Sequence, residues 1–294
     1  MFVIFIVNVL WKIVTLGIYH FWAKTRVRRY LWSQTSFDGE RLEYAGTGLE
    51  LFLGFVKALI IMAGLVFAIM AATSVLPAMA VPFVIALYLF FPVLIGFATF
   101  SAQRYKLTRT RLRGIRFGLL GSAWDHGMKV LGYGLLTALT LGLYAPYMRM
   151  KLIGNVFNNT RFGSEAFSFD GRGVDLFSRF IISLLLTIPT LGLVWLWYRA
   201  AEYRYTLSRL SAAKMRFELA ESEMSLAWFF FTNILIVVLT LGLGLPWAMT
   251  RTLRHLGEHV IVTGEVDYNA IRQAQDESEA VGEGFADALE LGAI

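Results

Sequence analysis

Long apolar runs separated by short, basic, polar stretches set the pattern of this chain. Six runs approach the roughly 20 residues that a helix needs to cross about 30 Å of hydrocarbon. They are Phe2–Trp22, Leu51–Leu76, Val81–Phe100, Val130–Tyr147, Phe180–Tyr198 and Leu226–Thr250. Pro77 and Pro82 flank an uncharged link between the second and third, which predicts a tight helical hairpin. Between runs the periodicity changes. Thr35 to Gly48 alternates Phe37, Leu42 and Tyr44 with polar residues around Asp38-Gly39, a β-hairpin signal. Thr160 to Gly173 sets Phe162, Phe167 and Phe169 among Gly163, Gly171 and Gly173 in the same manner. Glu202 to Ala227 lacks those glycines and reads as helical. The pattern predicts an all-α polytopic membrane protein of about six transmembrane helices, built on a unit of span, basic helical exit and short β-hairpin.

The unit recurs. Thr15-Leu16-Gly17 returns as Thr140-Leu141-Gly142, Thr190-Leu191-Gly192 and Thr240-Leu241-Gly242, the last three at a spacing of 50 residues. A degenerate copy, offset by 75 from the first, keeps Arg104, Tyr105, Thr110, Gly114, Arg116 and Gly121 where the first has Arg29, Tyr30, Thr35, Gly39, Arg41 and Gly46. Each copy has a following aromatic: Trp22, Phe97, Tyr147, Trp197 and Trp247. Seven residues later stand Arg29, Arg104, Arg204 and Arg254, with Gly154 in the remaining copy. Aromatic then basic is the order of a helix leaving hydrocarbon through the headgroups. This divides the chain into a transmembrane repeat domain, residues 1–269, and an acidic tail, residues 270–294. The copies cover about 2–50, 81–125, 126–175, 176–225 and 226–269, with an extra helix at about 51–76.

Copies 50 residues apart should alternate across the membrane. Residues 24–50, 103–126 and 199–226 hold 16 lysines and arginines, against 7 in 148–175 and 250–294. The positive-inside rule then places copies one, two and four in the cytoplasm. The competing arrangement keeps every copy on one side and makes some apolar runs re-entrant, which requires protein cover for their backbone.

Composition rules out a soluble domain. Hydrophobic residues are 57% and charged residues 16%, with a mean hydropathy of +0.59, against about 45–50% and 25% in soluble domains. The net charge of +6 follows from loop bias and does not call for a nucleic-acid partner. There is no cysteine, so disulfides, thiolate metal sites and cysteine nucleophiles are excluded. The first run carries Lys12 and leads into Lys24, Arg26, Arg28 and Arg29. It reads as an uncleaved anchor, not a signal peptide.

With these residues in view, the chain resembles the YjgN-like family of bacterial inner-membrane proteins, a domain of unknown function. The resemblance rests on Asn8, Thr15-Leu16-Gly17-Ile18-Tyr19 with Trp22, and Arg29-Tyr30 to Thr35 with Asp38 and Gly39. It continues through Gly46, Thr160-Arg161-Phe162-Gly163 and Gly282-Glu283-Gly284 with Ala286 and Asp287. It implies a multi-pass protein of the bacterial inner membrane. It brings no catalytic residues and no cofactor. Members often lie beside a membrane zinc metallopeptidase gene, which implies such a peptidase as a partner. The family's short glycine-rich segment before the first span is missing here, which implies an upstream start or a trimmed member.

The candidate chemistry is sparse. Arg26, Arg28 and Arg29 with Tyr30 and Trp32, and the group from Arg104 to Arg116, suit anionic lipid headgroups, at about 1 kcal/mol per basic residue. They equally suit topology and headgroup anchoring. Lys12, about ten residues into the first run, is either an intramembrane polar site or a snorkelling lysine. His255, Glu258 and His259 spell His-x-x-Glu-His, an inverted zinc-protease pattern. Gly257 weakens that helix, few residues follow to supply a third ligand, and His255 occupies the repeat's tyrosine position. The match therefore reads as chance, and no metal is expected. His126 beside Asp125, and His20, read as interfacial polar packing. The tail from Asp276 has six acids and no base, which predicts disorder or docking on a partner. With no catalytic set, the reading is a non-catalytic scaffold or regulator that binds a membrane partner or lipid. The alternative is a transporter or channel built from internal repeats.

Overall fold

The computed structural model describes residues 1–212 and 214–264, with Tyr268 and Ile271. Four of the six apolar runs do not continue as single helices. Each is cut at its Thr-Leu-Gly triplet, giving α1 (Phe2–Val14) and α2 (His20–Gln34), then α5 (Ala123–Leu139) and α6 (Ala145–Phe157). The other two pairs are α7 (Val174–Leu186) with α8 (Val194–Ser208), and α9 (Glu223–Leu239) with α10 (Leu245–His259). Only α3 (Gly48–Val75) and α4 (Ala80–Thr108) run 28 and 29 residues. At 1.5 Å per residue each is about 42 Å long, enough to span a bilayer. A short 3-10 turn, Pro77–Met79, joins them.

The cause of the cut is local. Leu16, Leu141, Leu191 and Leu241 all stand at φ 50, and the following Gly17, Gly142, Gly192 and Gly242 at φ 82 to 92. Two consecutive left-handed residues turn the chain back on itself. The strain of a left-handed leucine, roughly 1–2 kcal/mol, is offset by pairing of every amide in the turn. The amide of Gly142 donates to Thr137 O at 2.7 Å, closing a Schellman turn. Thr140 Oγ1 donates to Leu136 O at 2.8 Å and accepts from the amide of Tyr144 at 3.0 Å. The same threonine bonds recur at Thr15, Thr190 and Thr240. A turn whose polar groups are satisfied internally is one that hydrocarbon tolerates. Its leucine is 92–94% exposed in all four cases.

Each helical unit ends in strands, and the strands form one sheet. The hairpins are β1 (Ser36–Phe37) with β2 (Glu40–Tyr44), β3 (Thr110–Leu112) with β4 (Ile115–Leu119), β5 (Thr160–Phe162) with β6 (Glu165–Phe169), and β7 (Leu210–Ala212) with β8 (Met215–Leu219). β9 (Val260–Thr263) completes nine antiparallel strands in chain order, β1 to β9. The register between hairpins is the same each time: Leu42 faces Leu112, Phe117 faces Phe162, Phe167 faces Ala212 and Phe217 faces Val262. An apolar row therefore crosses the sheet. Part of it, Leu112 and Phe162 with Phe37, Leu42, Ile115, Phe117 and Phe167, is covered by Tyr268 and Ile271. The opposite face carries Arg111, Arg116, Arg161 and Arg216. Helices pack closely where glycine allows: a Cβ on Gly127 of α5 would lie 2.5 Å from Val93 O of α4.

These observations correct the expected fold. The protein is not all-α, because the hairpins join into a nine-stranded sheet. It does not have six transmembrane helices either. The runs Phe2–Trp22, Val130–Tyr147, Phe180–Tyr198 and Leu226–Thr250 are helical hairpins whose first arms have 13, 17, 13 and 17 residues. Arms of about 20–26 Å fall short of about 30 Å of hydrocarbon. Alternation of the copies fails as well, since one hydrogen-bonded sheet holds all the hairpins together and a sheet cannot be divided between two sides of a bilayer. Of the segment Glu202 to Ala227, expected to be helical, the ends belong to α8 and α9 and the middle forms β7 and β8 with Lys214 at φ 69 in the turn. Apart from Ile271, the acidic tail lies outside the described residues.

Candidate functional site

The recurring arginines are structural first. Arg29 Nη2 donates to Gly46 O at 3.3 Å, and in the degenerate copy Arg104 Nε donates to Leu119 O at 2.9 Å while its Nη2 meets Gly121 O. Gly46 and Gly121 are equivalent positions, so in each of these two units one guanidinium ties the helix to the chain returning from the hairpin. Where the third copy has Gly154, the ring of Phe169 fills the space, 3.3 Å from where a Gly154 Cβ would stand and directly against Gly171. Arg28 turns away from the surface. It is buried under the first hairpin, where Nη1 donates to Tyr44 Oη at 3.1 Å.

Arg26 and Arg29 face outward and share a cavity of about 640 Å³ with Tyr19, Trp22, Tyr30 and the start of α3 at Thr47, Gly48 and Leu49. Helix α2 presents the arginines on one face, three residues apart, and Arg26 Nη1 donates to Tyr19 Oη at 3.4 Å. Thr47 caps α3 by accepting from the amide of Glu50 at 3.3 Å, and the positive end of the α3 dipole points into the same space. Two guanidiniums, phenol hydroxyls and a helix N-terminus are donors of the kind that suit an oxyanion. Trp22 and Leu49 supply an apolar rim continuous with the exposed apolar surface of α3. A second cavity of about 490 Å³, between α7, α8 and α9, is lined almost wholly by apolar side chains such as Ile182, Leu186, Trp197 and Trp228.

The remaining candidates lie elsewhere. Lys12 is half-buried in α1, within electrostatic range of Lys24 on α2. His126, buried at the sheet end of α5, contacts Asn155 through Nδ1 at 2.8 Å and lies against Phe100. Burial, then the charge of Lys129, push its pKa down to about 4, against a smaller opposing effect of Asp125. His255 and His259 lie together on α10, and His255 Nε2 is 2.6 Å from Glu221 Oε2. Glu258 lines the same cavity as Glu221 and His255.

Sequence reasoning missed the acids that lock the units together. Glu50 accepts from Tyr105 Oη at 2.6 Å and from Arg109 Nε at 3.2 Å. Asp175 accepts from Tyr205 Oη, and Glu202, 3% exposed, receives Arg149 and Arg199. One signal was available: the repeat's tyrosines, Tyr105 and Tyr205, each meet an acid in the first turn of a helix, Glu50 or Asp175.

Comparison with known proteins places these features in a lineage. A family described as "Bacterial protein of unknown function (DUF898)" matches residues 1–194 and 178–288. Three curated relatives are each named "Inner membrane protein YjgN". The one from Escherichia coli strain K12 is 34% identical over 116 residues, covering 40% of this chain and 27% of the relative. The one from Escherichia coli O157:H7 is 33% identical over 117 residues, with the same coverage. The one from Salmonella typhimurium is 31% identical over 146 residues, covering 49% and 35%. The chain thus spans between 27% and 35% of the length of these relatives. No solved structure matches.

Proposed function

Since the chain belongs to the family of bacterial proteins of unknown function DUF898, we propose that it is an inner-membrane protein that works by binding, and that its ligand is an anionic phospholipid. The relatives' shared name supports the location. In this reading α3 and α4 cross the bilayer, and the sheet lies on the cytoplasmic side. Their link, Leu76 to Pro82, carries no charge, whereas the sheet side carries nearly all the basic residues. The four helical hairpins enter the cytoplasmic leaflet from the sheet side and turn at their exposed leucines.

The observation that carries the proposal is the position of the Arg26 and Arg29 cavity. It joins an oxyanion receptor to an apolar helix surface, the two halves of an acidic lipid. Phosphate sits between the guanidiniums and the start of α3, and the acyl chains run along α3. Mass spectrometry of protein purified in mild detergent tests it. Arg26→Gln should lose retained phosphatidylglycerol and cardiolipin, while Arg204→Gln, outside the cavity, should keep them. Equal retention in both variants defeats the assignment.

A further inference from the structure

The last two copies depart from the others at three recurring positions, Glu221 in the fourth and His255 and His259 in the fifth. Glu221 replaces the glycine of Gly46, Gly121 and Gly171; His255 replaces the tyrosine of Tyr30, Tyr105 and Tyr205; His259 stands where the other copies have Gln34, Arg109, Asn159 and Arg209. The fold brings these three departures together. His255 and His259, four residues apart, share a face of α10, which continues unbroken through Gly257. Ligand atoms of Glu221, His255 and His259 all lie within 4.8 Å of one another.

The imidazoles are oriented. His259 Nδ1 lies 2.8 Å from the carbonyl oxygen of His255. A carbonyl only accepts, so Nδ1 carries the proton and Nε2 keeps its lone pair. A backbone carbonyl fixes the tautomer of many metal-bound histidines in this way. The His255 ring is stacked between Phe229, at 3.8 Å, and His259, at 4.2 Å, and that stacking holds its Nε2 towards Glu221. Ser225 Oγ donates to the other carboxylate oxygen and holds that group in turn.

We propose that Glu221, His255 and His259 form a binding site for a divalent transition-metal ion of the zinc class. Two imidazoles and a carboxylate are a zinc donor set, with bonds of about 2.0–2.2 Å. Donors on a tetrahedral ion stand about 3.3 Å apart, so entry of the ion replaces the 2.6 Å contact between His255 and Glu221 by a small rotation of the carboxylate. Glu221 and His255 open on a cavity of about 320 Å³ that also holds Glu258 and Arg254. It gives the ion a path in and room for a fourth, anionic ligand. The third protein ligand thus comes from the segment before α9, far upstream of the His-x-x-Glu-His stretch.

The test uses the full chain in detergent, stripped with chelator and titrated with zinc alone. Wild type should bind one ion per chain, and cobalt in its place should show the visible absorption of a tetrahedral site. Glu221→Gln and His259→Gln should each weaken zinc by about 100-fold or more and abolish the cobalt band. Glu43→Gln, exposed on β2 and outside this cavity, should bind as wild type does. Zinc should raise the unfolding temperature of wild type and leave that of Glu221→Gln unmoved, which separates loss of a ligand from loss of the fold. Wild type that takes up no stoichiometric zinc, or a Glu221→Gln variant that binds as tightly as wild type, overturns the site.

Discussion

Glu202 and His126 show what single residues do at the unit boundaries. Glu202 is buried on α8 between Arg149 of α6 and Arg199. Removing one member of a buried ion pair leaves the others uncompensated, at about 3–5 kcal/mol when both are sequestered. The two arginines are half exposed, so Glu202→Gln should cost less, about 2 kcal/mol, read from chemical unfolding in detergent. His126 acts through pH. Its folded-state pKa of about 4 lies below the ordinary 6.5, so the unfolded chain binds the proton more readily than the folded one. The stability it contributes is complete above pH 6.5, declines as pH falls from 6.5, and is lost by pH 4. Unfolding temperatures across that window should follow this course in wild type and lose that component in His126→Leu. Neither residue could be ranked from sequence. Glu202 sat in a segment read as a polar helix, and burial is what gives both their weight.

At the scale of elements, the Thr-Leu-Gly turn decides the architecture, and here sequence pattern misleads for a physical reason. An apolar run that crosses a bilayer and one that enters and returns have the same composition, since both are solvated by the same hydrocarbon. What separates them is a left-handed leucine, a conformation that leucine rarely adopts and that no propensity flags. The triplet itself was visible; its meaning was not. The first and third β-hairpins were legible from their alternation and glycines, and they stand as β1 with β2 and β5 with β6. If the tips stand in lipid, a charge on one should cost about 2.5–3.5 kcal/mol there and nothing in water. Leu191→Lys should therefore lower thermal stability in lipid nanodiscs by several degrees. Leu120→Lys, at an exposed position directly after β4, should leave it near wild type. Equal behaviour of the two variants would place the tips outside the hydrocarbon.

For the whole molecule, the sheet settles sidedness. Pairing between successive hairpins joins residues some 40 to 70 positions apart, as with Phe117 and Phe162 or Leu42 and Leu112. No local pattern encodes that partnership, which is why alternation looked reasonable from charge counts alone. Since the strands form one sheet, a reporter fused after Asn158 should read on the same side as one fused after Gln103. A reporter inserted at Ala78, in the link between α3 and α4, should read on the other. Opposite readings at Asn158 and Gln103 would be incompatible with the sheet.

The four leucine-tipped hairpins all leave the sheet in company. A helix with its side chains is about 10 Å across, or about 80 Å² in section. On the proposed placement eight short arms would occupy about 600 Å² of one monolayer, while of the described helices α3 and α4 alone would reach the opposite one. Such an imbalance of area is relieved by bending, with the sheet-bearing surface convex. On the proposed placement the protein would act as a wedge, its free energy in a membrane depending on local curvature and lateral tension as well as on the lipids it touches.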